Sequence, residues 1–259
     1  MSLIDTHAHL TYPGLVERID EVMTRCAEAG VERVITIGTD AEEIRAALRL
    51  AERYPDRVFA AAGFHPHEAA KIADPDWTVL REALAHPAVI GFGEMGLDYH
   101  YDFAPRDVQQ RVFRRQLDLA SEFGLPIIIH CREAFDDLRP ILLDAGFEGR
   151  RVVFHCFTGT PEEATAIAGH GWRVSFTGIV TFKGSTPLQA IARSYPADQL
   201  MIETDSPYLS PVPVRGVKPN EPAHVAHVAR FLAELRGEPY DALARRTWEN
   251  SLAFFRREG

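Results

Sequence analysis

Little in this sequence suits secretion, membranes or covalent cross-linking. Three cysteines among 259 residues, Cys26, Cys131 and Cys156, cannot all pair and are too few for a disulfide framework, so a reducing compartment fits best. The longest apolar runs, such as 89–92 and 126–129, fall far short of the roughly 20 residues that cross a bilayer. The opening MSLIDTHAHL puts Asp5 and His7 where a signal peptide has its basic start and apolar core. A soluble, cytoplasmic protein without membrane contact is expected. Positive charge is also short: 37 acidic against 28 basic side chains leave a formal net charge of -9. Such a chain repels phosphate at long range and lacks the basic face usual in a nucleic-acid binder. The remaining composition, 46% hydrophobic and 25% charged, excludes intrinsic disorder, collagen and coiled coil.

What is present alternates. Short β-branched or apolar runs at 3–7, 33–37, 58–62, 89–93, 127–130, 152–155, 172–176 and 200–203 are separated by helical patterns near 16–29, 41–53, 76–85, 107–123, 133–145, 161–169 and 187–194. Two more helices, 221–236 and 239–255, close the chain. Thr160-Pro161-Glu162-Glu163 reads as a helix start, and Gly30, Gly124 and Gly146 fall where helix C-terminal caps belong. No linker or low-complexity stretch interrupts the series. Length allows two modest domains or one barrel of about 250 residues, and eight strand-helix units favour a single (β/α)8 TIM barrel over residues 1–259. A doubly wound open sheet is the alternative. It is weakened because the first strand leads into Thr6-His7-Ala8-His9 and not into a glycine-rich phosphate loop.

Ligand-type side chains gather at the C-terminal ends of the proposed strands, where barrel enzymes keep their chemistry. His7 and His9, two apart in extended chain, point to one side. Glu94 follows strand four, His130 ends strand five, His155 ends strand six and Asp205 follows strand eight. A lone His-x-His is more often a pair of hydrogen-bonded polar side chains, and a histidine ending an apolar run is usually a satisfied core residue. Six such groups converging on one mouth favour metal. The set exceeds what one tetrahedral ion needs, and a carboxylate can bridge, so two divalent ions are expected, with Zn, Mg and Mn all compatible. Two such ions clamp an oxygen and lower the pKa of a water, which is the chemistry of hydrolysis. Cys131 and Cys156 follow ligand histidines directly; strand alternation turns both thiols toward the surrounding helices as small apolar residues.

These residues fall in motifs that run the length of the chain: Asp5-Thr6-His7-Ala8-His9, Gly63-Phe64-His65-Pro66-His67, Gly93-Glu94-Met95-Gly96-Leu97-Asp98-Tyr99, His130-Cys131-Arg132-Glu133-Ala134, His155-Cys156-Phe157-Thr158-Gly159, Glu203-Thr204-Asp205-Ser206-Pro207-Tyr208-Leu209 and Asn220-Glu221-Pro222. In them the chain resembles the TatD family of metal-dependent hydrolases, within the amidohydrolase-like barrels. The resemblance implies divalent metals on His7, His9, Glu94, His130, His155 and Asp205. It also implies nuclease action, described as deoxyribonuclease or 3'-5' exonuclease on DNA and potentially RNA. The alternative is amide or ester hydrolysis, as in relatives that remove D-amino acids from tRNA, or in a small-molecule amidohydrolase. Many related barrels bridge their metals with a carbamylated lysine. Here Lys71, Lys183 and Lys218 all lie away from strand ends, and Glu94 is the natural substitute.

The expected division is His7, His9 and Asp205 on one ion, His130 and His155 on the other, and Glu94 between them. Glu94 and Asp205 are the expected catalytic residues, with Asp205 also taking a proton. His65 and Arg132 are candidate substrate-binding residues: His65 as a donor to phosphate or a loop histidine bonded to backbone, Arg132 as a phosphate fork or the partner of Glu133 or Asp136. Glu203 is expected to orient a ligand histidine. Tyr99, Tyr101, Phe157, Phe182 and Tyr208 can stack on bases, though packing is the commoner fate of such residues. Five prolines make residues 206–222 a long stiff loop over the site, of the kind that selects substrate. The expected partner is nucleic acid, taken by its single-stranded ends. Bound ions add about four positive charges at the mouth and offset the acidity there. A monomer is expected.

Overall fold

The computed structural model describes residues 2–101 and 103–256; Met1, Asp102 and residues 257–259 of the expected 1–259 span lie outside. Eight strands, β1 (Leu3–Ala8), β2 (Val31–Gly38), β3 (Val58–Ala62), β4 (Val89–Asp98), β5 (Ile127–Arg132), β6 (Val152–Phe154), β7 (Arg173–Phe176) and β8 (Leu200–Ile202), pair in parallel in chain order. Helices α1 (Pro13–Val16), α2 (Ile19–Glu28), α3 (Ala41–Arg53), α4 (Asp74–Ala85), α5 (Arg106–Phe123), α6 (Phe135–Asp144), α7 (Pro161–Gly169) and α8 (Thr186–Ser194) lie between them. After β8 come α9 (Val225–Arg236) and α10 (Tyr240–Phe255). This is the expected (β/α)8 barrel.

Between β8 and β1 the ladder gives way to a bridge at Ala8 and Ser206. His9 N–H donates to the Ser206 carbonyl at 2.7 Å and Asp205 N–H to the His7 carbonyl at 3.0 Å. Below them buried Asp5 accepts the Thr204 N–H at 2.8 Å and its hydroxyl at 2.5 Å, so both carboxylate oxygens are satisfied. Strand side chains alternate between two cores. Ile4, Ile35, Ile37, Ala61, Ile128, Val153 and Met201 form one cluster with Phe254 and Phe255 at the end of α10. The larger cluster packs strands against helices, with Leu3, Val34, Phe92, Ile129 and Trp172 among its members.

Local signals explain the elements. Asp40 caps α3 by accepting from the Glu42 and Glu43 N–H groups, and Thr160 and Glu163 form a reciprocal capping box on α7 with Pro161 in its first turn. Gly124 ends α5 in the left-handed conformation. The helix expected at 16–29 is two pieces, and the one expected from 221 starts at 225 after a 3-10 turn at Pro222–His224. β6 stops at Phe154, one residue before His155. β4, expected to stop at 93, runs to Asp98 with a register shift between Phe92 and Met95 that re-aims Glu94. Glycines permit it: a Cβ on Gly63 would meet the Gly93 Cα at 2.7 Å, and Gly96, at φ 147°, would put one 2.0 Å from the His130 carbonyl oxygen. Among the described residues no helix is long and apolar enough to cross a membrane.

Gly96→Ala is expected to lower unfolding free energy by about 3 kcal/mol, through clash and left-handed strain together. Urea denaturation of the metal-free protein measures it, and an unchanged midpoint would show that β4 relaxes freely around Gly96.

Candidate metal centre

The strand ends bring all six expected donors to one mouth. His7 and His9 lie on the same side as alternation requires, their Nε2 atoms 3.4 Å apart. Glu94 Oε2 is 3.3 Å from His7 Nε2 and 3.9 Å from His9 Nε2. Asp205 Oδ1 is 3.8 and 3.5 Å from the same two nitrogens. Donors about 2.1 Å from a tetrahedral ion stand about 3.4 Å from one another, so this quartet has the spacing of a ligand shell. The other oxygen of Glu94, Oε1, faces a second group: His130 Nδ1 and His155 Nε2 at 2.7 Å each, and His65 Nε2 at 3.4 Å. One buried carboxylate thus separates two histidine sets, each able to hold a metal.

Carboxylates stand behind two of the histidines, close to the outer ring nitrogens. Glu203 Oε1 lies 3.3 Å from His155 Nδ1 and accepts the Cys156 N–H at 2.6 Å, while Oε2 accepts the Ser175 hydroxyl at 2.5 Å. The orienting role expected for Glu203 matches this geometry. Asp98 does the same for His130, a part the sequence reading did not give it. Its Oδ2 lies 2.9 Å from both His130 Nε2 and His67 Nε2, and its Oδ1 accepts the His100 and Tyr101 N–H groups at 3.0 Å each. With Nε2–H given to Asp98, His130 turns Nδ1 toward Glu94, the carboxylate–histidine arrangement that fixes a metal-binding tautomer. The signal was there: 94, 96 and 98 share a face once the strand is carried past 93.

Charge is arranged to suit cations. Burial opposes ionisation of Glu94, yet His155, His65 and His130 hold its pKa well below the usual carboxylate value. Burial would likewise raise the pKa of Asp205, but His9 and His7 overcome that effect and the pKa is lowered. His65 is pushed down to about 4, chiefly by burial, and is neutral at pH 7. Its Nδ1 accepts the His67 backbone N–H at 3.1 Å, so Nε2 carries the proton and faces Glu94. His65 is therefore a donor toward Glu94 in this arrangement, and with His67 and His130 it also forms a group spaced to hold a metal.

Other expectations fare differently. Arg132 reaches neither Glu133 nor Asp136; its guanidinium lies over Tyr101, 5.1 Å from the ring centroid, while Glu133 takes His100 at 2.7 Å. Cys131 packs against the outer core as expected. Cys156 does not. β6 has already ended, the residue turns to φ 46°, and its thiol sits 3.7 Å from the Thr177 hydroxyl, raised in pKa by burial and by the nearby Asp205 and Glu203 carboxylates. Among the aromatics, Tyr99 is bonded to Asp137 and Gln110, and Phe157 is buried on Phe176. Tyr101 and Tyr208 are exposed at the mouth, joined by Phe103 and Tyr12, which the sequence did not single out.

Donor spacing of this kind on a barrel rim suits bound metal, and the chain's relatives place it among the metal-dependent hydrolases. Residues 4–256 match the family model described as TatD related DNase, and the chain belongs to the TatD family. It is 42% identical over 254 residues, covering 98% of this chain and 99% of the relative, to an uncharacterized metal-dependent hydrolase, YabD, of Bacillus subtilis. It is 35% identical over 257 residues, with 98% and 99% coverage, to a protein of Erwinia tasmaniensis named 3'-5' ssDNA/RNA exonuclease TatD. Among solved structures it resembles YJJV, a TatD homologue from Escherichia coli, with a TM-score of 0.92, 31% identity and coverage of 99% and 98%.

Asp98→Asn is expected to weaken metal binding roughly 10–100-fold, read by calorimetric titration of the metal-free protein. Burial opposes ionisation of Asp98, but His130, His67 and a backbone N–H hold its pKa far below the ordinary carboxylate value. Its stabilising contribution is therefore full above about pH 4 to 5 and drains away as pH falls toward the folded value. Acid unfolding of Asp98→Asn should be correspondingly less steep, and an identical acid limb would exclude this linkage.

Proposed function

We propose that the protein is a nuclease of the TatD type that cleaves phosphodiester bonds at single-stranded ends of DNA or RNA with two divalent ions. The observation that carries the two-ion reading is the division of Glu94: Oε2 toward His7, His9 and Asp205, Oε1 toward His130 and His155. The names of relatives such as the Erwinia protein support the substrate. Free thiols at Cys26, Cys131 and Cys156 suit the cytoplasm.

When bound, the ions supply positive charge against the phosphoryl oxygens and lower the pKa of water. The chain's own residues do the rest. Glu94, ionised and buried, fixes both histidine sets at one separation. Asp205 presents Oδ1 to His7 and His9 and keeps its other oxygen for the proton of the attacking water. His65 donates Nε2–H to a substrate oxygen. Arg132, exposed at the rim, forks two phosphate oxygens. Tyr101 and Phe103, 43% and 62% exposed and 5.4 and 4.7 Å from the His67 ring, offer flat faces that an unpaired base fits and a paired base does not.

Glu94→Gln and Asp205→Asn are each expected to lower turnover on labelled single-stranded DNA by at least about a hundredfold, with circular dichroism unchanged. Single-stranded RNA, duplex DNA and aminoacyl-tRNA, each with a chelator control, complete the panel. Elemental analysis should find two ions per chain. Full activity in either variant, or in chelated protein, would sink the scheme, and release of amino acid without strand cleavage would replace a nuclease with a deacylase.

A further inference from the structure

The acidity of the chain is unevenly spread, and its exception lies beside the metal centre. No aspartate or glutamate occurs between Glu163 and Asp198, or between Asp205 and Glu221, in a sequence with 37 of them. The first stretch contains the loop after β7, the second most of the loop after β8, and both stand at the mouth. On them sit Lys183, Arg215 and Lys218, all exposed; Lys183 and Lys218 are two of the three lysines in the chain. Among the described residues none of the three cations has a carboxylate within ion-pair distance.

The two loops form one surface. Val212 N–H donates to the Thr181 hydroxyl at 2.8 Å, and Gly178 lies so close beneath Leu209 and Pro211 that a Cβ there would be 2.0 Å from the Leu209 carbonyl oxygen. The Arg215 guanidinium covers Phe182 at 4.1 Å, next to Lys183. The far end of the β8 loop returns to the site. Asn220 N–H donates to the Pro207 carbonyl at 2.9 Å and its side chain to the Tyr208 carbonyl at 2.6 Å, which brings the stretch holding Lys218 back beside Asp205. Between this rim and the donors stands Tyr208, 55% exposed, edge-on to His9 at 6.4 Å and to Tyr12, 42% exposed, at 6.3 Å.

We infer that this acid-free ridge is the track for the body of a single-stranded nucleic acid whose end is cut at the metal centre. Lys183, Arg215 and Lys218 hold successive phosphates, and Tyr208 with Tyr12 receives the base nearest the cut. A strand is the occupant the surface fits: three exposed cations on two joined loops for a polyanion, then an exposed ring beside the donors. Stacking on Tyr208 requires an unpaired base, so the track admits single strands and rejects duplex. This inference rests on the nuclease reading and extends it to the residues that choose the substrate.

The test compares the metal-loaded wild type with a Lys183→Glu, Arg215→Glu, Lys218→Glu triple variant on single-stranded oligothymidylate. Bis(p-nitrophenyl) phosphate, too short to reach the ridge, is the reference substrate. The expected result is a KM for the oligonucleotide raised about tenfold or more at similar kcat, and a preference over the reference ester that falls by the same factor. The slope of log(kcat/KM) against log salt becomes shallower by about 2, since each single-strand phosphate contact contributes about 0.7. Tyr208→Ala should raise the oligonucleotide KM about tenfold and Tyr208→Trp should not, because stacking needs a ring and not a hydroxyl. A triple variant with the wild-type KM and salt slope, while the wild type digests the oligonucleotide, overturns the track alone. A wild type that cleaves the small ester and leaves the oligonucleotide intact overturns the nuclease reading and the track with it.

Discussion

One buried carboxylate organises this protein. Glu94 lies within 3.9 Å of five imidazoles, those of His7, His9, His65, His130 and His155. Removing an ionised carboxylate from water costs several kcal/mol after relaxation, and only close cations or donors offset it. Neighbouring features of the barrel follow from that demand. β4 is bulged and flanked by glycines so that Glu94 can turn inward, and Gly63 yields the space Gly93 needs. Asp98, bonded to His130 Nε2, sets which nitrogen of that ring faces the centre, and Glu203 stands 3.3 Å behind His155 Nδ1. Neutral His65, tied through Nδ1 to the backbone, adds a donor without adding charge.

The barrel was legible in the sequence because its periodicity is redundant: eight apolar runs and intervening helices each repeat the same statement, and one blurred boundary does not alter the sum. The six donors were legible because histidine and carboxylate at strand ends are costly unless used, and alternation gave His7 and His9 their common face. The misses occur where a strand ends unexpectedly. Cys156 was read by alternation, but β6 stops at Phe154 and the chain turns left-handed at 156, swinging the thiol toward Thr177. Asp98 escapes a sequence reading because the apolar run ends at 93, five residues before the strand does. Arg132 could be given a fork or an ion pair from sequence but not the ring of Tyr101, since that contact joins the end of β5 to the loop after β4 and depends on the register of the two strands.

Net charge describes a protein poorly when its groups are sorted by place. The count of -9 includes carboxylates that face histidines at the mouth, and it averages over two stretches, 164–197 and 206–220, that contain no acid. A polyanion approaching the chain meets no uniform field. Acidic side chains repel it and the acid-free stretches do not, and an uneven distribution of that kind favours some orientations on encounter over others.

The seam between β8 and β1 carries a temporal consequence. Asp5 meets Thr204 across 199 residues, and His7 meets Asp205 across nearly the same span, so the first donors of the chain wait for the residues that follow its last strand. Contacts so distant in sequence form late, because the loop they close must be ordered first. A nascent chain or half-built barrel therefore holds His7 and His9 with no Asp205 to complete their quartet. The quartet of His7, His9, Glu94 and Asp205 is complete only once that seam has closed.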